Sequence, residues 1–108
     1  MNEGLREKQS RFVLMVALLI GFADLRGYEL TFGDAYRDPR VKHGHPHSLH
    51  RSRLAVDFNV FKEGKYVGGA AEEYEELGVF WEALGGTWGG RFDPIDGPHF
   101  SLAHNGMA

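Results

Sequence analysis

The chain contains no cysteine. That excludes a disulfide framework, a thiolate nucleophile and a thiolate zinc site, and leaves His, Asp and Glu as the side chains able to hold a metal. It says little about compartment. Basic residues are in deficit: 12 Lys and Arg against 15 Asp and Glu give a net charge of -3 with His neutral. No basic patch is on offer to neutralise phosphates, so nucleic acid is not an expected partner. A long hydrophobic run is also missing. The strongest candidate, FVLMVALLIGFA from Phe12 to Ala23, is about twelve residues where a membrane-spanning helix needs roughly twenty. A signal peptide is its rival reading, but Glu3 and Glu7 dilute the positive start and no convincing A-x-A site follows. Leu5, Phe12, Val16, Leu19 and Ala23 recur at helical spacing. The segment is therefore read as a buried N-terminal helix, with no membrane insertion and no export signal of its own.

What is present is a globular composition, 43% apolar and 25% charged over 108 residues, consistent with one domain spanning residues 1–108. The first helix is expected from about Glu3 to Leu25, stopping near Gly27. YELTF alternates Tyr28, Leu30 and Phe32 against Glu29 and Thr31 in the manner of a strand. The segment GDAYRDPRVKHGHPHS is a long loop of the kind that carries function. RLAVDFNVF alternates again, with Leu54, Val56, Phe58 and Val60 on one face and Ala55, Asp57 and Asn59 on the other. KEGKY reads as a hairpin turn. AAEEYEELGVFWEAL sets Tyr74, Leu77, Trp81 and Leu84 on one helical stripe, with its glutamates mostly outward. GGTWGGRFDPIDGPHFSLA closes the chain as a Gly-rich loop and a final strand. Nothing repeats and no linker divides the sequence, so the fold class is α+β.

Asp57 draws attention because a carboxylate in an otherwise apolar strand must be paired, hydrogen-bonded or metal-bound. His50 stands seven residues earlier, at the loop entering that strand, and His99 begins the last one. Three protein ligands plus a water is the pattern of a catalytic zinc site with an open fourth position, although His-x6-Asp followed by a distant His arises easily by chance. The stretch DGPHF, Asp96 to Phe100, adds an acid three residues before His99. In a plain strand the two would face opposite ways. Gly97 is permissive and Pro98 fixes its own φ, so a kink between them can bring acid and imidazole to one side. By itself the stretch suits a metal ligand with a proton-transfer group, and equally a turn ahead of a buried strand.

SLHRSRLAVD, Ser48 to Asp57, resembles the S-x-H-x(6)-D motif of the LAS-type zinc peptidases. That group holds D-alanyl-D-alanine carboxypeptidases, dipeptidases and phage L-alanyl-D-glutamate endopeptidases. GGTWGGRFDPIDGPHF is similar to the family's closing segment, a Trp-Gly-rich loop followed by acid-x-x-His, and YRDPR sits where the family carries a substrate-directed arginine. The likeness runs from about Phe32 to Phe100, and the phrase RLAVDFNVFKEGKY is most like the phage-encoded branch. Two positions depart from the pattern: Arg53, where many members carry glycine, and Ser101, where an acid is often found. Neither is a proposed ligand.

The resemblance implies a small antiparallel sheet with flanking helices, the hedgehog and D-Ala-D-Ala-peptidase type of zinc fold. It implies that His50, Asp57 and His99 hold zinc and that Asp96 is the general base. Arg37 would donate to the carbonyl oxygen or grip a substrate carboxylate, with Arg40 close enough in sequence to be confused with it. Ser48 would orient the His50 loop or touch substrate, and a plain loop serine is the alternative. Trp88 would wall the cleft, with a core tryptophan as the other reading. His43, His45 and His47 alternate in HGHPH, the pattern of a second metal site or of adventitious Ni or Cu binding, and the family does not require it. The implied function is cleavage of peptidoglycan stem peptides by a bacteriophage endolysin, an L-alanyl-D-glutamate endopeptidase. It would be made in the host cytoplasm before lysis and act at the cell wall. A D-alanyl-D-alanine carboxypeptidase and a non-catalytic zinc-stabilised binding module are the alternatives. Oligomeric state stays open.

Overall fold

The computed structural model describes residues 3–33, 52–69 and 71–108. Helix α1 covers Leu5–Leu25, within two residues of the expected start. Its last turn is closed by the Arg26 and Gly27 backbone N–H groups, which donate to the carbonyls of Phe22, Ala23 and Asp24. The chain turns away at Gly27, whose φ of 83° is open to glycine without a Cβ penalty. Strands β1 (Tyr28–Phe32) and β2 (Ala55–Lys62) pair antiparallel, and β2 turns into β3 (Lys65–Tyr66). Glu63 at φ 53° and Gly64 at φ 78° give the left-handed pair that a tight two-residue hairpin needs. Helix α2 spans Glu72–Ala83, followed by β4 (Thr87–Trp88), a 3-10 turn at Gly89–Arg91, and β5 (His99–Ser101). The sheet is antiparallel in the order β1-β2-β5-β4, with β3 also on β2. This is the expected α+β class. The short strand β4 was read from the sequence as loop, because two residues are too few for alternation to register.

Both helices cover one face of the sheet. Phe12, Met15, Leu19 and Ala23 from α1 and Tyr74, Leu77 and Trp81 from α2 close over Leu54, Val56, Phe58, Val60 and Phe100. Alternation along β2 thus does what the sequence implied: the apolar set faces the helices, and Asp57 and Asn59 are half-buried on the other side. The expectation of a buried N-terminal helix holds for one face of α1, with Phe12, Met15, Leu19 and Ala23 buried, and needs correcting for the other. Leu5 is exposed, and so are Val13, Leu14, Leu18 and Leu25. A helix beside a five-stranded sheet has one face against it and another toward solvent, and α1 is apolar on both.

One buried side chain repairs the sheet next to Asp57. Strand β5 pairs with β2 only through Asp57, and β3 begins only at Phe61, which leaves a gap along that edge of β2. The Tyr74 hydroxyl fills it, donating to the Phe58 carbonyl at 2.8 Å and accepting from the Val60 N–H at 3.2 Å. Burial pushes this phenol well above its ordinary pKa, so it remains a donor. Tyr74→Phe would strand two buried backbone groups, so a destabilisation of about 1–3 kcal/mol is expected. Denaturant unfolding measures it, and an unchanged midpoint would refute this role.

Candidate metal and catalytic site

Register places Asp57 directly opposite His99 across β2 and β5, so both side chains leave the sheet on the face away from the helices. Asp57 Oδ1 and His99 Nδ1 stand 3.6 Å apart. That is beyond hydrogen-bond length, but it matches the ~3.3–3.5 Å between two ligands that each sit ~2.0–2.1 Å from a tetrahedral ion. The His99 imidazole is buried, its side chain 8% exposed, whereas Asp57 is 24% exposed. Phe92 lies against the imidazole, with ring centroids 5.2 Å apart and planes tilted by 49°, and covers one side of it.

Asp96 joins them through a turn. The His99 N–H donates to the Asp96 carbonyl at 3.1 Å, closing Asp96-Gly97-Pro98-His99 into a four-residue reversal. The Pro98 carbonyl accepts the Phe58 N–H at 3.0 Å and continues the ladder with β2. The turn therefore anchors to the sheet on one side and returns the acid toward the metal face on the other. Asp57, Asp96 and His99 each present a ligand atom, all within 4.8 Å of one another. Among the described residues this oxygen, oxygen, nitrogen set fits a zinc-type cation, which accepts carboxylate and imidazole together.

The glycines around this turn are there for close approach. A Cβ on Gly97 would collide with the Gly69 carbonyl, and one on Gly89 would strike the Asp96 carbonyl and His99 Cβ. Gly89 also accepts the Asp96 N–H at 2.8 Å through its own carbonyl. The Gly-rich segment thus carries the backbone of the acid. The sequence signalled its importance by composition, without showing that contact. Phe92 and Tyr74 were not singled out for these roles, since neither a ring contact with His99 nor a gap in a strand edge leaves a local pattern.

Trp88 sits in the core, paired opposite Phe100 on the helix-bearing face. Of its two readings, the core one describes this placement. Its indole N–H donates to the Gly97 carbonyl at 2.8 Å, which ties the turn to β4. Its ring also borders a shallow hollow with Gly90, Arg91 and Ile95. Arg53 takes φ 58°, the left-handed conformation that glycine would adopt, so the substitution keeps that backbone shape. Ser101 is fully buried. The other expected site residues, His50, Arg37 with Arg40, Ser48, and the His43, His45, His47 set, lie outside the described residues.

The antiparallel sheet thus carries helices on one face and, on the other, an Asp, Asp, His cluster that could hold a metal ion. Residues 42–102, more than half of the chain, match the peptidase family profile described as D-alanyl-D-alanine carboxypeptidase. The chain belongs to this M15 peptidase family. Its fold is similar to that in the crystal structure of the Serratia marcescens L-Ala D-Glu endopeptidase ChiX, with a TM-score of 0.65 and 20% sequence identity over 85% of this chain and 77% of that one. At that identity the likeness speaks to the fold. No curated protein matches the chain.

Proposed function

We propose that the chain is a zinc-dependent peptidase acting on peptidoglycan stem peptides, as an L-alanyl-D-glutamate endopeptidase of the phage lysis type. The observation that carries this reading is the convergence of Asp57, Asp96 and His99 on one face of the sheet in a chain of a peptidase family. Asp57 and His99 would hold the zinc, with His50 as the third ligand by resemblance. Bound there, zinc supplies Lewis acidity, polarising a carbonyl and lowering the pKa of a water toward ~7. Asp96 takes the proton from the water that attacks the scissile carbonyl, then hands it to the leaving amine. Its exposed position on the turn suits a group that must reach substrate, while buried His99 suits a fixed ligand. Arg37 is assigned to the developing negative charge on the carbonyl oxygen. Synthesis in the host cytoplasm before lysis, with action at the cell wall, belongs to the same proposal.

The choice of bond rests on where the chain spends its residues. Between Asp57 and Asp96 it runs through the rest of β2, β3, α2, β4 and the 3-10 turn. Little remains to close one end of a cleft, as a carboxypeptidase needs in order to grip a terminal carboxylate. The description of the matching family favours the carboxypeptidase as the second reading. Incubation with a muropeptide pentapeptide, read by mass spectrometry, separates them. Release of the intact peptide beyond L-alanine is the expected result. Free D-alanine with the L-alanyl bond untouched would transfer the assignment to the carboxypeptidase. No product in the presence of zinc would leave the non-catalytic binding module.

A further inference from the structure

We propose that Trp88 is a positioning residue for the reaction: its indole N–H clamps the turn that carries Asp96 and so fixes where that acid stands on the metal face. The proposal rests on the reading of Asp96 as general base. The indole donates to the Gly97 carbonyl at 2.8 Å, between the acid and His99. The kink that brings those two side chains together turns on Gly97, the residue of the turn with the widest choice of backbone angles. Its neighbours are secured by backbone bonds. The Asp96 N–H donates to the Gly89 carbonyl, the Asp96 carbonyl accepts from the His99 N–H, and the Pro98 carbonyl accepts from the Phe58 N–H. The Gly97 carbonyl is held by a side chain instead. Gly97 is buried, so water is a poor substitute for a donor lost there.

The clamp is itself fixed. Trp88 is 6% exposed, and its backbone pairs with Phe100, the residue after His99. A Cβ on Gly78 or on Gly90 would collide with the indole ring, so α2 and the 3-10 turn both press against it. Gly78 stands in the middle of α2, where glycine weakens a helix, and the close approach of the ring accounts for its presence. The Arg91 guanidinium lies 5.0 Å from the ring centroid and is tied to Glu82 by hydrogen bonds of 3.2 and 3.1 Å. A donor held this tightly imposes a position on the carbonyl rather than following it. Burial alone asks for an apolar ring, and phenylalanine would fill much of the same space. The N–H is the part that packing does not require.

Trp88→Phe separates the two roles. In metal-free protein, hydrogen exchange at the Asp96 and His99 amides should quicken by ~10-fold or more, because the turn opens locally. The amides of Leu77, in α2 beside the ring, and of Leu102, bonded to the Leu54 carbonyl, should keep their protection. In the zinc-loaded enzyme acting on a stem peptide, kcat should fall by ~10–10²-fold, the cost of a base displaced by about an ångström. KM and zinc content should stay near wild type. In the Asp96→Asn background the same substitution should cost less than about twofold, since no base is left to misplace. Equal losses in both backgrounds would make Trp88 a packing residue, and unchanged exchange at Asp96 and His99 would overturn the clamp. Should Trp88→Phe fail to fold, Trp88→benzothienylalanine, which keeps the fused ring and replaces the N–H with sulfur, takes the same tests. A wild type without turnover would sink the peptidase reading and not the clamp, which the exchange measurement decides by itself.

Discussion

Asp96→Ala should lower kcat by ~10²–10⁴-fold, the usual contribution of a general base, while the protein keeps its zinc and its melting temperature. The separation is expected because the fold uses the backbone of Asp96. Its N–H goes to the Gly89 carbonyl and its carbonyl receives the His99 N–H, and alanine retains both bonds. The carboxylate stands at the exposed end of the cluster, so its removal leaves the Asp57 and His99 pair in place across β2 and β5. Asp96→Asn is the sharper variant, since it preserves volume and polarity and removes the negative charge and with it the capacity to take a proton. Turnover on a stem-peptide substrate, measured beside zinc content and thermal unfolding, tests the assignment. Near-normal turnover in both variants would mean that another acid serves, with Glu75 and Asp93 next to examine. Loss of zinc along with activity would make Asp96 a ligand.

The division between what the sequence discloses and what it conceals follows interaction range. Period-two alternation through Leu54, Val56, Phe58 and Val60 and the stripe Tyr74, Leu77, Trp81 are local statements of burial, and the structure buries those residues. Asp57 stood out because it broke the first pattern. DGPHF was legible because glycine and proline restrict the backbone locally, and the turn they form does bring Asp96 to the side of His99. Contacts between distant segments left no comparable trace. The Tyr74 hydroxyl in the gap of β2, the Phe92 ring on His99 and the Gly69 carbonyl against Gly97 all depend on how separate elements dock. The apolar outer face of α1 was concealed for a different reason. A segment apolar all round looks the same in sequence whether it is enclosed by its own chain or half covered by it.

Zinc should be as important to stability as to rate. Wild-type protein should carry one zinc per chain. At a free zinc concentration of about 100 times its dissociation constant, the metal would stabilise the fold by about 2.7 kcal/mol. For a domain of this size that corresponds to roughly 10 °C or more in Tm, and EDTA should abolish the gain. His99→Ala should lose both the zinc and the gain, because it removes the one buried nitrogen in the cluster, and peptidase activity should fall to background. Asp57→Ala should do the same by removing the opposing oxygen. Each substitution also touches packing: Phe92 loses the ring it rests on when His99 is shortened. The informative comparison is therefore each variant against metal-free wild type. A ligand variant should melt near the metal-free protein and show no response to added zinc, whereas a purely structural role would lower the melt further and leave the zinc response intact. His50→Ala extends the test to the third ligand implied by resemblance. If zinc content and the zinc-dependent shift survive in all three variants, the metal is held elsewhere, and His43, His45 and His47 become the residues to replace.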